Sequence, residues 1–236
     1  MDNKPIIALD FSTIEEVQGL LRHFGHERLN VKVGMELFYQ EGKKIIYYLK
    51  ESGHDVFLDI KLHDIPTTVQ KAMKGLAGLG VDMINVHAAG GTQMIEAAKE
   101  GLLSGTVQGV QTPSLIAVTQ LTSTTEEIMH REQKVTGTLQ ESVLNYAQIT
   151  YLAGADGVVC SVHEAKEVMN VTEPTFFRVT PGIRLLGDEH NDQKRIATPK
   201  EAVGKQATHI VVGRSITQAI DPYKTYKDVL KQWNGD

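Results

Sequence analysis

The chain has 236 residues, 41% apolar and 22% charged, with a formal net charge of −5 and one cysteine, Cys160, which has no internal partner for a disulfide. Acidic and basic residues are interspersed, which leaves no basic stripe for nucleic acid and no polybasic cluster for an anionic membrane. The segment MDNKPIIALD lacks a signal-peptide pattern and no apolar run approaches the roughly 18 residues of a membrane span, so the expectation is a cytoplasmic protein with a small-molecule partner.

Short apolar, β-branched runs alternate with stretches of helical periodicity. PIIALD (5–10) predicts a first strand and 13–24 a helix; NVKVGM (30–35) a second strand, followed by a helix over 36–51 whose Met and aromatic residues along 35–48 read as core. DVFLDI (55–60), DMINVH (82–87) and SLIAVTQ (114–120) predict the next three strands. Helices are expected over 66–79, 91–103, 125–131 and 138–152. GVVCS (157–161), FFRVT (176–180) and HIVVG (209–213) complete eight strands. Helices are expected at 163–169, 199–206 and 215–220, the last running on to 222–233 past a break near Pro222. Eight strand-helix units in one domain over 1–236 predict an α/β protein, a (β/α)8 TIM barrel, because parallel strands covered on both faces read as continuous apolar runs. An open doubly wound sheet is the alternative. The polar stretch 180–199, long for a compact domain, reads as a lid over a functional site, with disorder as the second possibility.

Barrels of this kind build their sites at the C-terminal ends of the strands. There the chain offers Asp10, Lys32, Asp59 with Lys61, Thr122, Arg184, and Gly213 with Arg214. In FLDIKLHDIPTT (57–68), Asp59 and Lys61 are two apart and so share one face of a strand, whereas Asp64 lies past its end. One Asp-Lys pair at a strand end reads by default as a structural ion pair; Lys32 as a further inward cation favours a chemical site. In HIVVGRSI (209–216) a strand runs into Gly213-Arg214 at a helix start, which brings together backbone N–H groups, a helix dipole and a guanidinium, the parts of a phosphate site. Arg184 and the donor-rich DQKR (192–195) add to it.

Other residues invite different readings. The nine histidines include no His-x-His and no His-Glu-x-x-His, so no metal is expected, and His63 and His87 read as packing residues. GLAGLG (75–80) is no dinucleotide fingerprint because it ends a helix, and CSVHE (160–164) is no evidence of a catalytic pair.

From ALD (8–10) through KVG (32–34), LDIKLHDIP (58–66), NVHAAGG (85–91), VTQLTS (118–123), TPGIR (180–184) and DQKR to VVGRSI (211–216), the chain resembles the orotidine 5′-phosphate decarboxylase family. Thr67 stands where that family often has Asn, which leaves Asp59, Lys61 and Asp64 intact. The resemblance implies conversion of orotidine monophosphate to uridine monophosphate and carbon dioxide in pyrimidine biosynthesis, without cofactor. Lys61 would be the proton donor, kept protonated and aimed by Asp59 and Asp64. It further implies ribose contacts from Asp10 and Lys32, a pyrimidine contact from Thr122, and a phosphate grip from Arg184, Gln193, Gly213 and Arg214. Asp64 and Thr68 would enter a neighbouring subunit's site, which makes the partner a second copy in a homodimer. Two alternatives stand beside it. One is a magnesium-dependent sugar-phosphate decarboxylase or synthase on the same scaffold, whose members usually carry Glu at the position of Lys32; the other is a non-catalytic phosphosugar-binding barrel, which would not need the charged triad.

Overall fold

A computed structural model of the chain describes residues 1–185 and 196–235. Eight parallel strands close on themselves in sequence order, β1 (Ile6–Leu9), β2 (Asn30–Gly34), β3 (Asp55–Leu62), β4 (Met83–His87), β5 (Ser114–Val118), β6 (Gly157–Val159), β7 (Phe177–Thr180) and β8 (His209–Val212). The pairing of Ile6 with Val211 and Ile7 with Val212 joins β1 to β8 and overturns the open-sheet alternative. Around the barrel run α1 (Ile14–Leu21), α2 (Met35–Glu41), α3 (Lys43–Glu51), α4 (Pro66–Ala77), α5 (Gly91–Gly105), α6 (Glu126–Ile128), α7 (Leu139–Leu152), α8 (Ala165–Val171), α9 (Pro199–Gly204), α10 (Arg214–Thr217) and α11 (Pro222–Asn234). Among the described residues no helix is long and apolar enough to cross a membrane.

Strand parity divides the core in two. Ile6, Ala8, Phe57, Met83, Ile116, Val179 and Val211 point inward and fill the barrel. Their neighbours Ile7, Leu9, Val31, Val33, Val56, Leu58, Ile84 and Val86 point outward under the helices. Helix starts are set locally: Thr13 with Glu16, Thr138 with Glu141 and Thr198 with Glu201 form capping boxes, and Pro66 opens α4. At the N-terminal ends of the strands, Lys50 meets Asp82 at 2.6 Å and Lys99 meets Asp156 at 2.7 Å. The same carboxylates accept from the backbone N–H groups of Val56 and Leu115, so these pairs tie helices to strand starts and are structural. GLAGLG ends α4 as expected, with Gly80 at φ +74°.

The expected helix 36–51 is two helices, α2 and α3, separated at Gly42, whose φ of +62° breaks the helical path. The reading of 35–48 as core is corrected as well. Leu37, Ile45 and Ile46 are buried, whereas Met35, Tyr39 and Tyr47 are exposed, because a helix outside a barrel buries only its strand-facing stripe. α4 and α5 approach closely at two glycines: a Cβ at Gly101 would overlap the backbone carbonyl of Gln70, and one at Gly105 that of Lys74.

Candidate active site

The inward parity of the first three strands carries a row of charges to the C-terminal end of the barrel. Lys32 pairs in register with Ala8 on one side and Phe57 on the other, both inward residues, and Asp59 is two residues past Phe57. Asp10 follows the last residue of β1. Gly34 lies opposite Asp59, and a Cβ there would stand 3.4 Å from Lys32 Nζ and 3.8 Å from Asp10 Oδ1, so glycine leaves the space in which the two charges meet.

Lys32 Nζ lies 3.1 Å from Asp10 Oδ1 and 3.4 Å from Asp59 Oδ2, and Lys61 Nζ lies 2.6 Å from Asp59 Oδ1. The four side chains therefore alternate in sign along one wall. The side chains of Lys32 and Asp59 are only 12% and 14% exposed, which separates this array from an ordinary surface ion pair. Burial opposes the charge on Lys32, but Asp59 and Asp10 outweigh it and raise its pKa. Burial likewise opposes the charge on Asp59. The ammonium groups of Lys32 and Lys61, with hydrogen bonds from Lys61 and Asn85, prevail and lower its pKa. Both groups are thereby held ionised in a place from which water is largely excluded.

This wall belongs to a cavity of about 680 Å³, within the roughly 300–1,000 Å³ typical of small-molecule sites. Phe57, Val118, Val159 and Val211 line its depth, and Thr122 and Gln120 its side after β5. Arg184, Gly213 and Arg214 line it after β7 and β8, where a Cβ at Gly213 would stand 3.6 Å from Asp10 Oδ2. Arg184 is buried. Its backbone N–H donates to Ala197 at 3.0 Å while Ala197 donates to Gly182 at 3.2 Å, so the two flanks of the long 180–199 stretch are joined beside the cavity. Gln193 and most of that stretch, including DQKR, lie outside the described residues.

The structure thus brings Asp10, Lys32, Asp59, Lys61, Thr122, Arg184, Gly213 and Arg214 into one cavity. It does not bring Asp64 and Thr68 there. Both are exposed beyond β3, where Asp64 Oδ1 accepts from the N–H of Ile65 at 2.6 Å and Ile65 itself is 67% exposed. His63 and His87 pack ring to ring at 5.8 Å, and Cys160 is a buried part of the cavity wall. Among the described residues no group of three or more His, Cys, Asp or Glu is placed to hold a metal ion.

Asn85 is the residue that the sequence reading leaves unassigned. It is fully buried on the inward parity of β4, its Oδ1 accepts the Lys61 backbone N–H at 2.7 Å, and its Nδ2 donates to Asp59 Oδ1 at 2.7 Å. The signal in the sequence is a lone amide in the apolar run MINVH, since a buried polar side chain is kept only with partners.

A family model described as orotidine 5′-phosphate decarboxylase / HUMPS family matches residues 3–229. Orotidine 5′-phosphate decarboxylase of Lysinibacillus sphaericus is 60% identical over 233 residues, with 99% of each chain covered. That of Enterococcus faecalis is 56% identical over 235 residues, with 99% of each covered. The crystal structure of orotidine 5′-phosphate decarboxylase from Lactobacillus acidophilus superposes with a TM-score of 0.89 at 43% identity, covering 99% of this chain and all of the other. With its closed barrel, its alternating charges at the strand ends and these full-length similarities, the chain belongs to the orotidine 5′-phosphate decarboxylase family.

Proposed function

We propose that this protein is an orotidine 5′-phosphate decarboxylase of pyrimidine biosynthesis, acting in the cytoplasm, and that it converts orotidine monophosphate to uridine monophosphate and carbon dioxide without a cofactor. The observation that carries the reading is the alternation of Asp10, Lys32, Asp59 and Lys61 along one wall of the cavity. When the bond between C6 of the pyrimidine and its carboxylate breaks, the electron pair remains in the ring plane, where the π system cannot take it up. A cation fixed in advance beside C6 stabilises that pair without the cost of reorganising water. Lys61 supplies the cation and then its proton to C6, leaving a neutral amine that solvent reprotonates. Asp59, 2.6 Å from the ammonium, aims it, and its own carboxylate, near the departing one, opposes the substrate carboxylate more than the product.

The remaining roles are those that the family resemblance implies. Asp10 and Lys32 contact the ribose, Thr122 the pyrimidine, and Arg184, Gly213 and Arg214 grip the phosphate together with Gln193. Arg184 and Arg214, two guanidinium groups on the cavity lining after β7 and β8, support the phosphate grip. The protein works as a homodimer in which Asp64 and Thr68 complete the neighbour's site. Their exposure at the rim, outside the cavity of their own subunit, supports that reading. Lys32 also bears on the sugar-phosphate alternative, because a cation of the chain meets both Asp10 and Asp59 at the position where those relatives usually carry Glu.

The direct test is to follow the loss of orotidine monophosphate absorbance with purified, chelator-treated protein. Turnover without added metal is the expected result. Inactivity that is rescued by magnesium with a sugar phosphate would reverse the assignment, and nucleotide binding without turnover would leave a non-catalytic barrel.

A further inference from the structure

The left-handed backbone of Lys61 has no local cause. Its φ is +50° within β3, a conformation that Gly or Asn accepts readily and a long side chain does not. The pairing of β3 with β4 shows where it arises. Leu58 stands opposite Ile84 and Leu62 opposite Val86, so four steps along β3 span two along β4. This bulge re-aims Lys61 and removes its backbone N–H from the ladder.

The side chain of Asn85 fills the gap. The Lys61 N–H can only donate and the Asp59 carboxylate can only accept, so the two contacts fix the orientation of the amide: Oδ1 toward Lys61 and Nδ2 toward Asp59. One fully buried amide thus holds the backbone of the lysine and the carboxylate that the same lysine's ammonium meets at 2.6 Å. Ala and Leu offer neither group, and an ionised Asp offers only the acceptor.

We infer that Asn85 is a positioning residue for decarboxylation, setting where the Lys61 ammonium stands by fixing both the bulged backbone of Lys61 and the Asp59 carboxylate. The inference rests on the reading of Lys61 as proton donor given above.

The test compares wild type, Asn85→Ala and Asn85→Asp in kcat, KM and the pH profile of kcat/KM for orotidine monophosphate, with uridine monophosphate binding as the check that the cavity is intact. Misplacing a reacting group by about 1 Å costs on the order of a hundredfold, so kcat in Asn85→Ala is expected to fall by about that factor while KM and product binding change less than about threefold. Loss of the donor to Asp59 also shifts the acid limb of the profile to higher pH, further in Asn85→Asp, where a second carboxyl adds repulsion. A residue that only stabilised the fold would lower the melting temperature and leave kcat and the acid limb of the folded enzyme unchanged; that result would overturn the inference. So would failure of both variants to fold or to bind uridine monophosphate, because Asn85 would then be a residue of stability. An inactive wild type would instead overturn the proposed function, which separates the two failures.

Discussion

The Lys61 ammonium and the Asp59 carboxylate meet at 2.6 Å although the residues are only two apart on one strand, and they meet inside the cavity, where both are at most a quarter exposed. In a regular strand two such side chains stand side by side, about 7 Å apart at their Cα atoms. The bulge in β3 re-aims Lys61, and Asn85 of the neighbouring strand holds the Asp59 carboxylate that the lysine's ammonium meets.

On the proposed mechanism, replacing Lys61 with Ala removes both the cation facing the developing carbanion and the proton source. Loss of one preorganised electrostatic group costs about 10²–10³ in rate, and a group with both roles costs more. Lys61→Ala is expected to bind uridine monophosphate and barely turn over. Retention of a tenth of the wild-type kcat would show that another group delivers the proton.

Arg214 lines the cavity after β8, and as part of the proposed phosphate grip it would act on a part of the substrate that does not react. A hydrogen bond to a charged group contributes about 1.5–3 kcal/mol, so Arg214→Ala is expected to lose about ten- to a hundredfold in kcat/KM for orotidine monophosphate. For the nucleoside without phosphate the change is expected to be small. Equal losses on the two substrates would place Arg214 outside the phosphate grip.

A shared site makes a distinct prediction for mixed dimers. If Lys61 works with Asp64 of the partner, a dimer of one Lys61→Ala and one Asp64→Ala subunit has one native site and one that lacks both groups. Purified through two different tags, that dimer is expected to show about half of wild-type activity by symmetry. Activity no higher than the mean of the two homodimers would confine both residues to one subunit's site.

His209 links the opposite end of the barrel to pH. It is buried against Phe177 at 4.8 Å between ring centres, and burial pushes its pKa down to about 4. Below pH 6.5 the unfolded chain therefore binds a proton that the folded chain refuses. Stability falls as pH drops from 6.5 toward 4, by up to about 1.4 kcal/mol per unit from this group. His209→Asn, which keeps a polar atom toward Thr208, is expected to flatten the decline of melting temperature between pH 6.5 and 4.5. An unchanged slope would assign the acid sensitivity to other groups.

The barrel and most of the cavity were legible because parity is written in the residues: Ala8, Lys32, Phe57 and Asp59 can be placed on the inner face by counting in twos. What was not legible depends on contacts between elements. Nothing in Glu41-Gly42-Lys43 says that the glycine turns the chain, since a helix tolerates one glycine at about 1 kcal/mol. Met35, Tyr39 and Tyr47 have apolar character but face outward, and residue type alone does not tell which side of a helix meets a strand. Asn85 and the backbone of Lys61 make sense only together, across two strands, and Lys is the wrong residue type to announce a left-handed turn.

The close contact of α5 with α4 has a genetic consequence. α4 begins two residues after Asp64, and side chains at Gly101 or Gly105 would meet its backbone carbonyls, so a bulky residue there tilts the helix and withdraws the Asp64–Thr68 segment while leaving Lys61 on its strand. With the dimer arranged as proposed, alleles at these two glycines fall into the Asp64 complementation group. They restore growth without pyrimidine when paired with a Lys61→Ala allele and fail to do so when paired with Asp64→Ala, although neither glycine touches the substrate.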